Sequence, residues 1–323
     1  MNVFVNKRIP EIGITMLKEA GFNVVIPEND NLSQDEWLDY CKNADAILNV
    51  GNNKFDKNFF DQCPNIKAIA LFSVGFDHVD IKEANVRKIP VGNTPDVLSK
   101  ATADTAFLLM QSVARRASYN FQKVKEGNWG VFDPLEGLGQ ELYGKTLGIF
   151  GLGRIGFKMA ESAQRAFDMK IIYHNRNKNE QAEKELYAQY VSFEELIIQS
   201  DVLSVHANFI PEHAHLFNQS VFEKMKSTAI FINTARGGFH NQSDLYNALV
   251  SETIWGAGLD VTNPEPMSQD DPILKLSKVC VLPHIGSATI EARSGMSRLA
   301  AENIIAFSKG EKMPHCANPE IYQ

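Results

Sequence analysis

The sequence predicts an α/β protein made of two doubly wound parallel-sheet domains, one inserted into the other. Three observations lead there. A glycine-rich turn, Gly151-Leu152-Gly153-Arg154-Ile155-Gly156, lies near the middle of the 323 residues. Short apolar segments alternate with helix-forming ones on both sides of it, the pattern of strand–helix–strand units. A further helical stretch follows the last candidate strand, so the chain has material left to return to its first domain.

Before the glycine turn, the candidate strands are Asn2–Val5, Asn23–Ile26, Ala44–Asn49 and Lys67–Leu71, with helices over Pro10–Ala20 and Ser33–Lys42. Ser99–Ala117 reads as one long helix. Its apolar centre, Ala106-Phe107-Leu108-Leu109-Met110, is broad enough to be buried on more than one side. From Leu147 the alternation resumes, with candidate strands Leu147–Phe150, Lys170–Tyr173, Val202–His206, Ala229–Asn233, Gly256–Val261 and Val279–Leu282. Ser192-Phe193-Glu194-Glu195 is a capping-box pattern that opens a helix. Thr289–Lys309 is the helical tail. The expected division is residues 1–97 with 288–323 as a discontinuous flavodoxin-like substrate domain, and 98–287 as the inserted Rossmann domain.

Composition excludes several classes. Hydrophobic residues make up 44% and charged residues 22%, as in soluble globular chains. The formal net charge is −7, and no basic run interleaves with aromatics, so nucleic acid is not an expected partner. No apolar run approaches a membrane span. Cys41, Cys63, Cys280 and Cys316 are scattered without metal or redox spacing, and no leader pattern precedes the first strand. A reducing, cytoplasmic setting follows.

The glycine turn carries the first chemistry. It stands between the strand Leu147–Phe150 and the helix-forming Phe157-Lys158-Met159-Ala160, the context in which G-x-G-x-x-G binds a dinucleotide. Gly151 permits the sharp turn, Gly153 leaves room for the pyrophosphate, and Gly156 lets the helix approach the strand. The helix N-terminus offers free N–H groups to an anion. After the next strand, an NAD site usually has a carboxylate for the ribose 2′-hydroxyl. This chain has Asn175-Arg176, which suits a 2′-phosphate and predicts NADP(H) as the preferred cofactor with NAD(H) second. A solvated surface arginine is the alternative for Arg176.

Three polar residues follow the C-terminal ends of predicted strands, where open parallel sheets bind ligands. They are Arg236, Glu265 and His284. Each alone has a structural reading: a surface or capping arginine, a solvated loop carboxylate, a histidine bonded to backbone. Together they match 2-keto acid reduction. Arginine holds the substrate carboxylate and polarises the ketone. Histidine donates a proton as hydride reaches carbon. The carboxylate orients the imidazole and favours its charged form. The pair His213 and His215 lacks a third ligand in register, so no metal is expected and a solvated loop is the reading there.

Taken together, these motifs resemble the D-isomer-specific 2-hydroxyacid dehydrogenases, and most closely their glyoxylate/hydroxypyruvate reductase branch, over nearly the whole chain. The carriers are Ser73-Val74-Gly75-Phe76-Asp77-His78-Val79-Asp80, Asn93-Thr94-Pro95-Asp96-Val97-Leu98, Ala101-Thr102-Ala103-Asp104, Gly144-Lys145-Thr146-Leu147-Gly148, the glycine turn, Thr234-Ala235-Arg236-Gly237-Gly238 and Pro283-His284-Ile285-Gly286-Ser287-Ala288-Thr289. The resemblance implies that Arg236, Glu265 and His284 are catalytic. It implies that Val74 and Gly75 offer backbone N–H groups to the substrate carboxylate. Arg154 and Ile155 would contact the pyrophosphate. Thr102, Thr234 and Gly286 would lie by the cofactor, and Asp260 would accept from the nicotinamide carboxamide. It also implies a homodimer and domains that close on their ligands. Trp129 is then either a substrate-pocket residue or a packed interface aromatic. The chain departs from the family at Phe239-His240, where small aliphatics are usual, at Ile210 in place of threonine, and at Phe132 in place of a second tryptophan.

The implied activity is reduction of glyoxylate or hydroxypyruvate to the D-2-hydroxy acid. 2-Ketogluconate reduction, or phosphoglycerate, formate or D-lactate dehydrogenation, is the alternative within enzymes. A dinucleotide-sensing corepressor-like binding protein is the alternative of another class. Turnover of small keto acids separates them.

Overall fold

A computed structural model describes residues 1–323. The chain divides into two compact units, Met1–Leu98 with Ser287–Gln323, and Ser99–Gly286.

The first unit runs β1 (Asn2–Val5), α1 (Glu11–Glu19), β2 (Asn23–Val25), α2 (Gln34–Lys42), β3 (Ala46–Asn49), α3 (Lys57–Gln62), β4 (Ala68–Leu71), α4 (Ile81–Val86) and β5 (Val91–Gly92). The strands form one sheet in the order β2-β1-β3-β4-β5, every pair parallel. That is the flavodoxin-like order. Ala46-Ile47-Leu48-Asn49 and Ala68-Ile69-Ala70-Leu71 are buried at every position. A parallel sheet covered on both faces requires such unbroken runs. Helix α2 starts at a full capping box between Ser33 and Glu36.

The sequence reading missed β5, which is two residues long. It is an edge strand, and the C-terminal tail covers it. Asn318 Oδ1 accepts from Val91 N at 2.8 Å, Ala317 N donates to Val91 O, and Asn93 N donates to His315 O. The exposed ladder is thereby paired rather than left to associate.

The second unit continues with α5 (Ser99–Ala114), α6 (Ala117–Lys125), β6 (Thr146–Phe150), α7 (Arg154–Phe167), β7 (Lys170–His174), α8 (Glu180–Leu186), β8 (Gln189–Tyr190), α9 (Phe193–Gln199), β9 (Val202–Val205), α10 (Gln219–Phe222), β10 (Ile230–Asn233), α11 (Gln242–Val250), β11 (Gly256–Leu259) and β12 (Val279–Val281). Helix α12 (Ile290–Ser308) then closes the first unit, packing on α1 and β4. It fits closely because Gly13 N donates to Ser297 Oγ at 3.1 Å, an approach that a side chain at Gly13 would block.

The seven strands β12-β11-β10-β9-β6-β7-β8 form one parallel sheet. Strand order reverses between β6 and β9, which makes that crevice the ligand-binding edge. The predicted capping box at Ser192 and Glu195 opens α9.

The predicted single helix over Ser99–Ala117 is two helices. Arg116 adopts a left-handed conformation, φ 52°, and the chain restarts as α6. No glycine marks this break. Helix α5 lies directly on β11. A Cβ at Gly258 would stand 2.9 Å from Leu109 Cβ, and one at Gly256 would stand 2.7 Å from Val113 Cγ1. The glycines of Gly256-Ala257-Gly258 are what let α5 sit so close.

Candidate active site

Strands β10, β11 and β12 are neighbours and parallel, so their C-terminal ends share one edge of the sheet. Arg236, Glu265 and His284 lie on the loops leaving that edge, as the sequence places them.

His284 and Glu265 are brought together: His284 Nδ1 and Glu265 Oε1 are 2.5 Å apart. A carboxylate only accepts, so Nδ1 carries the hydrogen and Nε2 is left to face a reactant. Burial works to raise the Glu265 carboxyl. The hydrogen bond from His284 and its charge, with help from Thr262 and the Arg236 guanidinium, outweigh burial and hold the carboxyl below the usual carboxylate range. Arg236 is thus part of the same electrostatic group. Thr262 Oγ1 donates to Pro264 O at 2.8 Å and braces the loop that carries Glu265.

His284 sits at φ 54°, a left-handed conformation that costs a non-glycine residue about 1–2 kcal/mol. Asp260 holds it there. Its carbonyl accepts from His284 N at 2.9 Å. Its two carboxylate oxygens accept from Ile285 N at 2.8 Å and Gly286 N at 2.7 Å. Burial raises the Asp260 carboxyl above its ordinary value, partly offset by these two amides and by His284. The sequence reading gave Asp260 a cofactor role only, and its backbone partners are an additional one. Thr102 belongs to the same cluster, since a Cβ at Gly286 would stand 3.0 Å from Asp260 Oδ2 and 3.2 Å from Thr102 Cγ2.

Arg236 extends from a turn that Asn233 braces. Asn233 Oδ1 accepts from Ala235 N at 3.0 Å, and its Nδ2 donates to Arg236 O at 2.9 Å. Arg236 Nη1 donates back to Ala235 O at 2.8 Å. Sequence reasoning passed over Asn233. The available signal was a polar residue ending the otherwise apolar strand Ile230-Phe231-Ile232-Asn233. Beside it, Thr234 Oγ1 is buried with no hydrogen-bond partner.

At the other side of the crevice, the glycine turn has the geometry a dinucleotide needs. Gly151 adopts φ 95°, and a side chain there would run into the Ala207 backbone. At Gly156, a Cβ would stand 2.7 Å from Gly151 O, so the helix approaches the strand closely. At Gly153, a Cβ would meet nothing within 4 Å, and this residue caps α7 without any side-chain acceptor. No protein atom requires glycine at Gly153, whereas a phosphate group on the helix N-terminus does. Arg154 and Ile155 open that helix. The orphaned Thr234 hydroxyl, the bare N-terminus and the open face of Gly153 together fit a dinucleotide.

Asn175 plays a role the sequence did not suggest. Its Oδ1 accepts from Leu152 N at 2.6 Å and its Nδ2 reaches Leu152 O at 3.3 Å. Asn179 Nδ2 donates to the same carbonyl at 2.9 Å. Asn175 therefore ties the end of β7 to the glycine turn, while Arg176 beside it is exposed.

In the first unit, Val74 and Gly75 leave the C-terminal end of β4. Their carbonyls are fixed, Val74 O by Asn93 Nδ2 at 2.9 Å and Gly75 O by Ser73 Oγ at 2.8 Å. Trp129, in the second unit, is 81% exposed and so is not a buried pocket wall within one chain. His213 is not in a solvated loop. It stacks on Phe239 at 5.6 Å and meets Phe150 edge-on. No group of three or more His, Cys, Asp or Glu side chains is arranged to hold a metal ion.

Comparison with known proteins agrees with this geometry. Residues 107–286 match the family described as D-isomer specific 2-hydroxyacid dehydrogenase, NAD binding domain. A glyoxylate reductase of Thermococcus litoralis is 42% identical, over 99% of this chain and 97% of its own. The crystal structure of a glyoxylate reductase from Paecilomyes thermophila superposes with a TM-score of 0.87 at 32% identity, covering 99% of both chains. An NADPH-dependent glyoxylate/hydroxypyruvate reductase from Sinorhizobium meliloti, solved with NADP and malonate, gives 0.84 at 30% identity, covering 98% of this chain and 96% of that one.

Proposed function

Because the chain belongs to the D-isomer-specific 2-hydroxyacid dehydrogenases and is an NAD(P)-dependent oxidoreductase, we propose that it reduces glyoxylate or hydroxypyruvate to the D-2-hydroxy acid with a preference for NADP(H). The observation that carries this reading is the 2.5 Å contact between His284 Nδ1 and Glu265 Oε1, on the same sheet edge as Arg236.

A nicotinamide bound at this edge would supply hydride to the keto carbon. Arg236 binds the substrate carboxylate and polarises the ketone. His284 donates a proton from Nε2 to the carbonyl oxygen as the alkoxide forms, so the net uptake is one hydride and one proton. Glu265 accepts from Nδ1–H and so orients the ring with Nε2 toward the carbonyl oxygen. Val74 and Gly75 add backbone N–H donors to the carboxylate. Trp129 contributes to the substrate pocket, from the partner subunit of a dimer.

Three features support the cofactor assignment. Gly151, Gly153 and Gly156 admit the pyrophosphate beside Arg154 and Ile155. Thr102, Thr234, Asp260 and Gly286 surround the nicotinamide end. Asn175 and Arg176 follow β7 where an NAD site usually has a carboxylate, and the Arg176 guanidinium suits a 2′-phosphate.

The partner is a second copy of this chain. Phe121, Val124, Trp129, Val131, Phe132, Leu135 and Leu138 all face solvent in the single chain, and Phe132 is 88% exposed. An apolar run of that length on a monomer marks an interaction surface. No helix is long and apolar enough to cross a membrane. The four free cysteines, three of them buried, suit a reducing cytoplasm. Turnover of glyoxylate and hydroxypyruvate with NADPH tests the reading, and its absence with every small keto acid would overturn it.

A further inference from the structure

His240 is fully buried, yet it is hydrogen-bonded at both ring nitrogens. The backbone dictates the direction of each bond. Asn233 must present Oδ1 to Ala235 N–H and Nδ2 to Arg236 C=O. The second hydrogen of that Nδ2 then points at His240 Nδ1, 3.1 Å away, so Nδ1 is an acceptor. Nε2 therefore carries the ring hydrogen and donates to Gln242 Oε1 at 3.0 Å. The result is a chain of fixed polarity, from Gln242 through His240 and Asn233 to the two peptide groups that flank the start of Arg236.

We propose that His240 is a positioning residue for the keto-acid-binding arginine: its Nδ1 locks the Asn233 amide, and that amide clamps Ala235 N and Arg236 O and so sets the guanidinium. The guanidinium depends on this turn twice, through its own backbone and through the Nη1 bond to Ala235 O. Without an acceptor at position 240, one Asn233 N–H is buried unpaired, and the amide rotates to find another partner. A shift of about 1 Å in a binding group costs up to about 100-fold in rate. The ring itself is held edge-on by Phe231 at 5.9 Å, so its orientation is fixed by packing as well as by hydrogen bonds.

The inference rests on Arg236 binding the keto acid. The test compares His240→Asn, His240→Gln and His240→Val with Arg236→Gln. Asparagine places an oxygen where Nδ1 stands, whereas glutamine places its oxygen near the Nε2 position. Steady-state kinetics with glyoxylate and NADPH are read alongside NADPH affinity by quenching of tryptophan fluorescence, which reports an intact fold. We expect His240→Gln and His240→Val to raise KM for glyoxylate and lower kcat/KM by about 10-fold or more, with NADPH affinity within about twofold of the parent. His240→Asn should restore most of the loss. Equal behaviour of the Asn and Gln variants overturns the proposal, even if the Val variant does not fold. So does a loss of NADPH affinity matching the loss for glyoxylate. Arg236→Gln separates the two ideas. If it is impaired while all His240 variants are normal, the positioning role falls alone. If it leaves glyoxylate KM unchanged, the assignment of Arg236 falls, and the positioning role with it.

Discussion

Glu265 Oε1 lies 2.5 Å from His284 Nδ1, and this contact leaves Nε2 as the nitrogen that the proposed proton transfer uses. If His284 is the proton donor, kcat/KM for the keto acid should fall as pH rises, because reduction consumes its proton. Glu265→Gln keeps the size of the side chain but removes the carboxylate that orients the imidazole, so kcat should fall. His284→Gln should lose about 100- to 10,000-fold in kcat. A profile flat from roughly pH 6 to 9, with chemistry shown to be rate-limiting by a deuteride isotope effect, removes His284 from the acid role.

Arg176 stands exposed at the end of β7 with no carboxylate beside it. Arg176→Ala should raise KM for NADPH by about 10- to 100-fold, the worth of a charge-assisted phosphate contact. KM for NADH should barely move. Equal changes for both dinucleotides would show that Arg176 does not read the phosphate.

Two histidines, half-buried His206 and fully buried His240, make the fold acid-sensitive. Burial pushes His206 down to about 3 and His240 to about 4, from an ordinary 6.5. For His240, the bond to Gln242 opposes burial and the nearby His215 reinforces it. The folded state therefore binds fewer protons than the unfolded one below about pH 6.5. Stability is fully present above that pH and is lost as pH falls toward the folded values. The slope is about 1.4 kcal/mol per pH unit for each histidine. Urea midpoints measured between pH 7 and 5 should decline, and His240→Asn should flatten the decline. An unchanged slope in that variant would contradict the buried neutral state of His240.

The exposed run Phe121 to Leu138 predicts a dimer of twice 36.1 kDa by light scattering. Phe132→Asp with Leu135→Asp should shift the mass to that of one chain while leaving far-ultraviolet circular dichroism intact. A monomer for the unaltered protein rejects the interface.

Most of the fold is legible because parallel strands buried on both faces are written as unbroken apolar runs, and β3, β4, β6 and β10 are of this kind. The two-residue strands β5 and β8 are not legible, since too few residues carry a period and their pairing depends on the neighbouring chain. The break at Arg116 escapes notice because it uses an arginine at positive φ rather than glycine. At the site, Arg236, Glu265 and His284 are legible from their places after strands. The bond of Asn175 to Leu152 is not legible, because it spans 23 residues of sequence. Asn233, His240 and the carboxylate bonds of Asp260 are invisible for the same reason: the first and last pair side chain with backbone, His240 pairs with the Asn233 and Gln242 side chains, and only the turn geometry brings these partners into reach.

Oxidation of NADPH and NADH, followed by loss of reduced-nicotinamide absorbance, with glyoxylate, hydroxypyruvate, pyruvate and 2-ketogluconate, tests the assignment most directly. We predict fastest turnover with glyoxylate or hydroxypyruvate and NADPH. No turnover with any pair, in protein shown by titration to bind the dinucleotide, would contradict a keto acid reductase and favour a dinucleotide-sensing binding protein.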